Sequence, residues 1–186
     1  GFSLLHTNLV PFLKDPVING TVMALVVLGG LGYPVFIAFH AAVMSRWSKV
    51  TGYTKREYHQ DASLVASPVQ IRIALWGTLV LIALGTFIPL LVEMGNPALG
   101  EGWKTRLLSA VFQSVSTRTA GFNTVDVGAL QVATIFLYII LMFIGANPGG
   151  TAGGIKIPAV ATLCGYIKDW FAAPGLPVTL FRHRIS

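Results

Sequence analysis

The sequence predicts an all-α membrane protein with a loop that enters the bilayer and turns back. Composition is the first reason: 54% of the 186 residues are hydrophobic and 11% are charged, against about 25% charged in an ordinary soluble domain. The second is three apolar runs, Val17 to Val43, Ile73 to Val92 and Val127 to Gly145, each suited to a hydrocarbon core about 30 Å thick. The third is the passage Ser114 to Asp126, Ser-Val-Ser-Thr-Arg-Thr-Ala-Gly-Phe-Asn-Thr-Val-Asp, which is polar and carries a glycine between membrane-grade segments. Irregular backbone is tolerated at membrane depth only where protein buries it or where it lines a wet cavity.

Residues 1–16 mix polar and apolar side chains, and Pro16 suits the first turn of a helix. From Val17 to Val43 there is no Asp, Glu, Lys or Arg. Gly29, Gly30, Gly32 and Pro34 interrupt that span; the small residues let helices approach closely, and Pro34 kinks or breaks the helix. His40 falls at its far end, an interfacial position. Met44 to Ser67 is a polar, basic connection. Pro68 opens the second span, with Arg72 placed to snorkel to the interface and Pro89 near the far end. Glu93 to Lys104 reads as a polar turn. Trp103 to Gln113 is amphipathic and too short to cross a bilayer. Asp126, after the polar passage, suits an N-cap for the third span. Ala146 to Gly154 then breaks the apolar run, and helical character resumes from Ile155 to Phe171. Cys164 reads as a packing residue, since a single cysteine makes neither an internal disulfide nor a multi-cysteine metal site.

The net charge is +6. In a membrane protein such an excess marks cytoplasmic loops rather than nucleic-acid binding. Arg46, Lys49, Lys55 and Arg56 in the first connection, and Lys168, Arg182 and Arg184 in the tail, fall on one side of a three-span arrangement. Only Lys14, Lys104 and Arg106 fall on the other. The first connection and the tail are therefore expected in the cytoplasm, with the mouth of the polar loop outside. The four histidines show no metal spacing, and neither a Ser-His-Asp set nor paired carboxylates stand out, so no enzyme is indicated.

Within the polar loop, Thr119-Ala120-Gly121-Phe122 follows the short helix. A dehydrated cation needs oxygens in place of its water, and successive backbone carbonyls supply them. Gly121 admits a backbone conformation closed to other residues, and Phe122 is placed to wedge the loop against helices. The short helix, 103–117, would direct its negative C-terminal end toward the cavity. Arg118 beside a cation site would repel the ion, so it is expected to point behind the loop toward a carboxylate or carbonyls. Asp126 is one candidate partner, though the cap is the preferred role.

Three readings of Ala146 to Gly154 stand together: a flexible gate beneath the filter, a broken transporter helix, or a cytoplasmic turn. A phosphate-binding loop fails, because after Gly149-x4-Gly154 the next residue is Ile155 rather than Lys, and Lys156 is followed by Ile157 rather than Ser or Thr. Gly-Phe at Gly1-Phe2 and Gly121-Phe122 is each time followed by a polar stretch, a long apolar helix and a cluster of small residues. This suggests an internal repeat.

These motifs resemble the superfamily of potassium transporters that includes the bacterial Trk and Ktr membrane subunits and plant high-affinity potassium transporters. Ser116-Thr117-Arg118-Thr119-Ala120-Gly121-Phe122-Asn123-Thr124 is similar to the filter of that family's third repeat. Gly149-Gly150-Thr151-Ala152-Gly153-Gly154-Ile155-Lys156 resembles the glycine-rich break in the same repeat's inner helix. Gly1-Phe2-Ser3-Leu4 resembles the end of the second filter, and Gly29-Gly30-Leu31-Gly32-Tyr33-Pro34 the inner helix after it.

The resemblance implies a K+-channel-like fold of four repeats, each an outer helix, pore helix, filter and inner helix, of which this chain resembles the middle portion. Residues 1–47 would be the end of the second filter and its inner helix, and 48–67 a cytoplasmic linker. Residues 68–171 would form the third repeat: outer helix 68–94, pore helix 103–117, filter 118–124, and inner helix 126–171 broken at 146–154. Residues 172–186 would lead toward a fourth repeat. The implied activity is potassium uptake across the cytoplasmic membrane, coupled in some members to sodium or protons. K+ would meet backbone carbonyls of Thr119, Ala120, Gly121 and Phe122, with Gly1 serving the preceding filter. Ala146, Asn147, Pro148, Gly149, Gly150, Thr151, Ala152, Gly153 and Gly154 would be an intramembrane gating loop. The implied partners are a second copy of the full-length subunit, a cytosolic nucleotide-binding regulatory subunit and the lipid bilayer. A broken-helix secondary transporter and a non-conducting assembly subunit are the competing readings.

Overall fold

Asp15 starts the first helix by accepting hydrogen bonds from the backbone N–H groups of Val17 (2.9 Å) and Ile18 (3.1 Å). The computed structural model describes residues 3–51, 67–172, 179–180 and 183–184. Helix α1 (Pro16–Leu31) is followed by α2 (Tyr33–Thr51), and the two meet at Gly32 with a bend of 92°. Ser67 and Gln70 form a reciprocal capping box for α3 (Pro68–Val92). Its 25 residues extend about 37 Å at 1.5 Å per residue, enough to cross a bilayer without help from a neighbour. Then come the short helix α4 (Trp103–Ser116), α5 (Val132–Phe143) and α6 (Ile157–Ala172).

The amphipathic helix α4 sits at the centre. Ser109, Ala110 and Phe112 to Ser116 are buried, and α3 and α1 pack along it. A Cβ on Gly85 of α3 would fall 2.5 Å from Ser114 Oγ, which itself donates to the Ile82 carbonyl at 2.8 Å. Such close crossings replace the hydrophobic drive that lipid removes. A small apolar core of Leu99, Val125, Leu130, Tyr138 and Leu141 joins α5 to the loops on either side of α4.

Polarity is arranged the opposite way from a soluble protein. Trp76, Leu79, Phe87 and Leu91 of α3 and Phe136, Ile139 and Phe143 of α5 face outward. Glu93, Gln113, Ser114, Thr117, Arg118, Thr124, Thr134 and Asn147 are buried. Apolar outside and polar within is the pattern expected of a protein whose solvent is lipid, where intramembrane polar groups face inward.

The interruption expected in the first apolar run takes the form of a turn through nearly a right angle at Gly32. Other expectations are corrected. The third apolar run is shorter than expected: a 3-10 turn at Val127–Ala129 precedes α5, which ends at Phe143. Among the described residues, α3 alone passes as a span by length and hydropathy, and α1 with the start of α2 passes as a bent pair. Cys164 is exposed rather than packed. Arg118 is buried, yet none of its three guanidinium nitrogens meets an acceptor among the described residues. Asp126 has the role of cap instead, accepting from Gly128 N–H at 2.9 Å. Most of the 48–67 connection, and Gly1, lie outside the described residues, and in the tail Thr179–Leu180 pairs antiparallel with His183–Arg184.

Candidate functional site

The polar loop begins where α4 runs out of helical partners. Thr117 closes the helix: its N–H donates to Gln113 (2.9 Å) and its hydroxyl to the Ser114 carbonyl (2.7 Å). Arg118 N–H donates to Val115 (3.3 Å) and Ala120 N–H to Ser116 (3.0 Å). The chain then turns through two positive-φ residues, Thr119 at 63° and Gly121 at 78°. At residue 121 a side chain would strain the backbone, which accounts for glycine there. Thr119 holds the same region with a side chain, an uncommon conformation that persists only when surroundings enforce it.

Those surroundings are visible. The Ser116 hydroxyl donates to the Phe122 carbonyl. Asn8 Nδ2 donates to the Gly121 carbonyl at 3.2 Å, and Leu9 N–H to the Asn123 carbonyl at 3.0 Å. Among the described residues no hydrogen bond reaches the carbonyls of Thr119 and Ala120. The Gly121 and Phe122 carbonyls each keep one lone pair free. The C-terminal end of α4, with its partial negative charge, abuts the same turn. A cavity of about 270 Å³ adjoins it, lined by Leu25 and Val26 of α1, Arg118 to Ala120, Phe122, Thr151 and Ala152.

Thr151 and Ala152 belong to the glycine-rich break, which runs from the end of α5 to the start of α6. Its neck is closed by hydrogen bonds from Gly145 N–H to Ile155 (2.9 Å) and from Ile155 N–H to Phe143 (3.0 Å). Ala146, Asn147 and Ala152 are buried, while Gly149, Thr151, Gly153 and Gly154 are exposed. The loop reaches the polar turn directly: Gly153 N–H donates to Thr119 Oγ1 at 3.1 Å. On its other side it meets the α1–α2 bend, where Asn147 N–H donates to Gly30 (3.1 Å) and Thr151 N–H to Gly29 (3.1 Å). The structure thus brings together Thr119 to Phe122 and Ala146 to Gly154.

Two supports were not singled out from sequence. Asn8 is one, and nothing local marks it as a donor to a loop 113 residues away. Glu93 is the other. It is fully buried, and its carboxylate accepts from Asn96 Nδ2 (2.6 Å), Gln131 N–H (2.8 Å) and Thr134 Oγ1 (2.6 Å). Arg106 of α4 donates to the Glu93 carbonyl. One residue therefore ties α3 to α4 and to the start of α5. The available signal is an acidic residue directly after an apolar run.

Comparison with known proteins bears on this arrangement. The family model described as TrkH, cation transport protein, matches residues 1–185. The Ktr system potassium uptake protein B of Vibrio alginolyticus is 31% identical over 193 residues, covering 100% of this chain and 37% of that protein. The protein of the same name from Bacillus subtilis (strain 168) is 34% identical over 159 residues, covering 84% of this chain and 32% of its own. The chain thus spans about a third of the length of these relatives. The crystal structure of the potassium transporter TrkH from Vibrio parahaemolyticus superposes with a TM-score of 0.68 over 100% of this chain and 36% of that one, at 18% identity. A long helix, a short helix that stops inside, an irregular loop and a broken helix therefore form the potassium-channel-like repeat of a membrane transporter, and the chain belongs to the TrkH cation transport protein family.

Proposed function

We propose that this chain is the central part of a subunit that takes up potassium across the cytoplasmic membrane. Thr119 to Phe122 supply one of four filter segments, with K+ held mainly at the carbonyls of Thr119, Ala120 and Gly121. Gly1 belongs to the preceding segment. Carbonyl oxygens in place of hydration water are the chemistry of cation selection. The free carbonyls of Thr119 and Ala120 and the adjoining α4 C-terminus suit that role. In this reading α3 is the outer helix, α4 the pore helix, and α5–α6 an inner helix whose break, Ala146 to Gly154, is the gate.

The observation that carries the reading is the hydrogen bond from Gly153 to Thr119, because it seats the break directly against the candidate filter. Transport is driven by the membrane potential, with at most weak coupling to Na+ or H+. The full-length subunit works as a homodimer with a cytosolic nucleotide-binding regulatory subunit. A cation symporter that binds its substrate at the broken helix draws on the same break. It leaves the buried, half-length α4 without a purpose, and tightly stoichiometric coupling of two ions would favour it.

The test is Gly121→Ser in the full-length protein. A serine held at positive φ distorts the turn, and uptake assays should show potassium over sodium selectivity falling by roughly tenfold, the ratio for 1.4 kcal/mol of differential binding. Unchanged uptake of both ions would remove the filter assignment.

A further inference from the structure

The bend between α1 and α2 is a hydrogen-bond exchange. In an unbroken helix the Tyr33 N–H would donate to the Gly29 carbonyl, and residue 34 to the Gly30 carbonyl. Here the Tyr33 N–H donates instead to Gly149 of the glycine-rich loop at 3.3 Å, and Gly29 accepts from Thr151 N–H of that loop at 3.1 Å. Both groups stay satisfied, with new partners. Gly30 differs. Pro34 has no N–H, so a helix running through this point leaves the Gly30 carbonyl without its donor. An unsatisfied carbonyl at membrane depth is costly. The loop supplies the missing donors, Asn147 N–H at 3.1 Å and Asn147 Nδ2 at 3.4 Å.

The fit around this exchange is close. Gly32 has φ 79°, and a Cβ there would fall 2.4 Å from the Pro148 carbonyl oxygen. A Cβ on Gly149 would lie 3.3 Å from the Pro34 ring. Asn147, 2% exposed, is held between α1 and Thr78 of α3.

We propose that the α1–α2 bend is a clasp that holds the glycine-rich loop in place, and that release of the loop and straightening of α1–α2 are a single transition. This rests on the loop being the gate, as proposed above. The bent form satisfies Gly29, Gly30 and Tyr33 through the loop. The straight form would satisfy Gly29 and Tyr33 through each other, strand Gly30, and release the Gly149 carbonyl and the Asn147 and Thr151 donors of the loop. Straightening thus trades four hydrogen bonds to the loop for one within the helix, so the bent form is the resting one, and two discrete arrangements of this kind make the two-state element that a switch needs. Pro34 sets the balance toward the bent, clasped form. α2 runs on to Thr51, so a force applied at its far end acts on the loop through this bend.

Two variants of the full-length protein, reconstituted in proteoliposomes and followed by rubidium-tracer uptake, test this in opposite directions. Pro34→Ala restores a donor for Gly30 within a straight helix, so basal uptake should rise at least about fivefold. A cysteine pair, Gly30→Cys with Ala146→Cys in a background free of other cysteines, should fasten the loop to the bend. A Cβ on Gly30 would lie 3.5 Å from that of Ala146, within the roughly 3.5–4.5 Å that a disulfide requires. Oxidation should cut uptake at least about tenfold, and reduction should restore it.

Uptake that persists in fully cross-linked protein, or a pair that does not cross-link, overturns the clasp. So does folded Pro34→Ala with unchanged or lowered uptake, and that variant decides the matter if the reduced double-cysteine protein is inactive. Deleting Asn147 to Gly150 separates the clasp from the gate. If the deletion raises uptake while both variants fail, the clasp alone is wrong. If the deletion changes nothing, the gate reading falls and takes the clasp with it.

Discussion

The two broken helices of this chain occupy comparable places after their polar loops, and they break in different ways. α1–α2 turns through 92° at the single residue Gly32. α5–α6 opens from Ile144 to Lys156 and sends the intervening chain inward. Each break supplies donors and acceptors to the other: Tyr33 N–H reaches Gly149, and the Asn147 and Thr151 N–H groups reach Gly30 and Gly29. A break at membrane depth is stable only with such a partner. The two therefore form one unit rather than two independent irregularities.

The starts of the two helices differ in the same spirit. α1 is capped by its own neighbour in sequence, Asp15. α5 has no side-chain cap from Gln131. It borrows the Glu93 carboxylate from the end of α3, 38 residues earlier, to accept the Gln131 N–H. Local capping makes α1 self-sufficient, whereas α5 depends on the packing of α3.

The largest expected effect breaks the pairing outright. Deleting Asn147 to Gly150 removes the residues that reach Gly30 and Tyr33, and uptake by the full-length protein should rise by more than about tenfold if the loop occludes the pathway. Unaltered or lost uptake in well-folded protein would count against occlusion. Glu93→Ala comes next. It leaves the buried Thr134 hydroxyl and the Gln131 N–H without their acceptor, and the Asn96 amide with only the Ala129 carbonyl, and should destabilise the folded protein by about 3 kcal/mol. That loss would be seen as a clear drop in melting temperature in detergent. Asp15→Ala removes a cap that lies nearer solvent and should cost only about 1 kcal/mol. Equal losses in these last two variants would erase the distinction between local and borrowed capping.

Much of this was legible in the sequence because its causes are local. Pro68 and the apolar run to Val92 mark α3, and the amphipathic stretch from Trp103 marks α4. The turn at Thr119 to Phe122 follows from a helix that ends among small polar residues. Pro34 and its glycines announced an interruption, but the sharpness of the bend depends on Pro148 and Gly149 filling the space beside Gly32. Glu93 reads as the first residue of a polar turn because its partners at Gln131 and Thr134 have no nearby signature. Arg118 was expected to find an acceptor, and pairing is a property of the assembled site that a residue type does not disclose.

The hydrogen bond between Gly153 and Thr119 has a thermodynamic consequence under the proposed function. The residue whose carbonyl faces the ion is also the one whose hydroxyl holds the gate. Whatever the ion does to the stability of that turn, it does to the seating of the loop, and linkage makes the effect reciprocal: if loop release changes ion affinity by some factor, ion binding changes the release equilibrium by the same factor. Under that function, and given such a change in affinity, potassium would be an effector of the open state as well as the cargo.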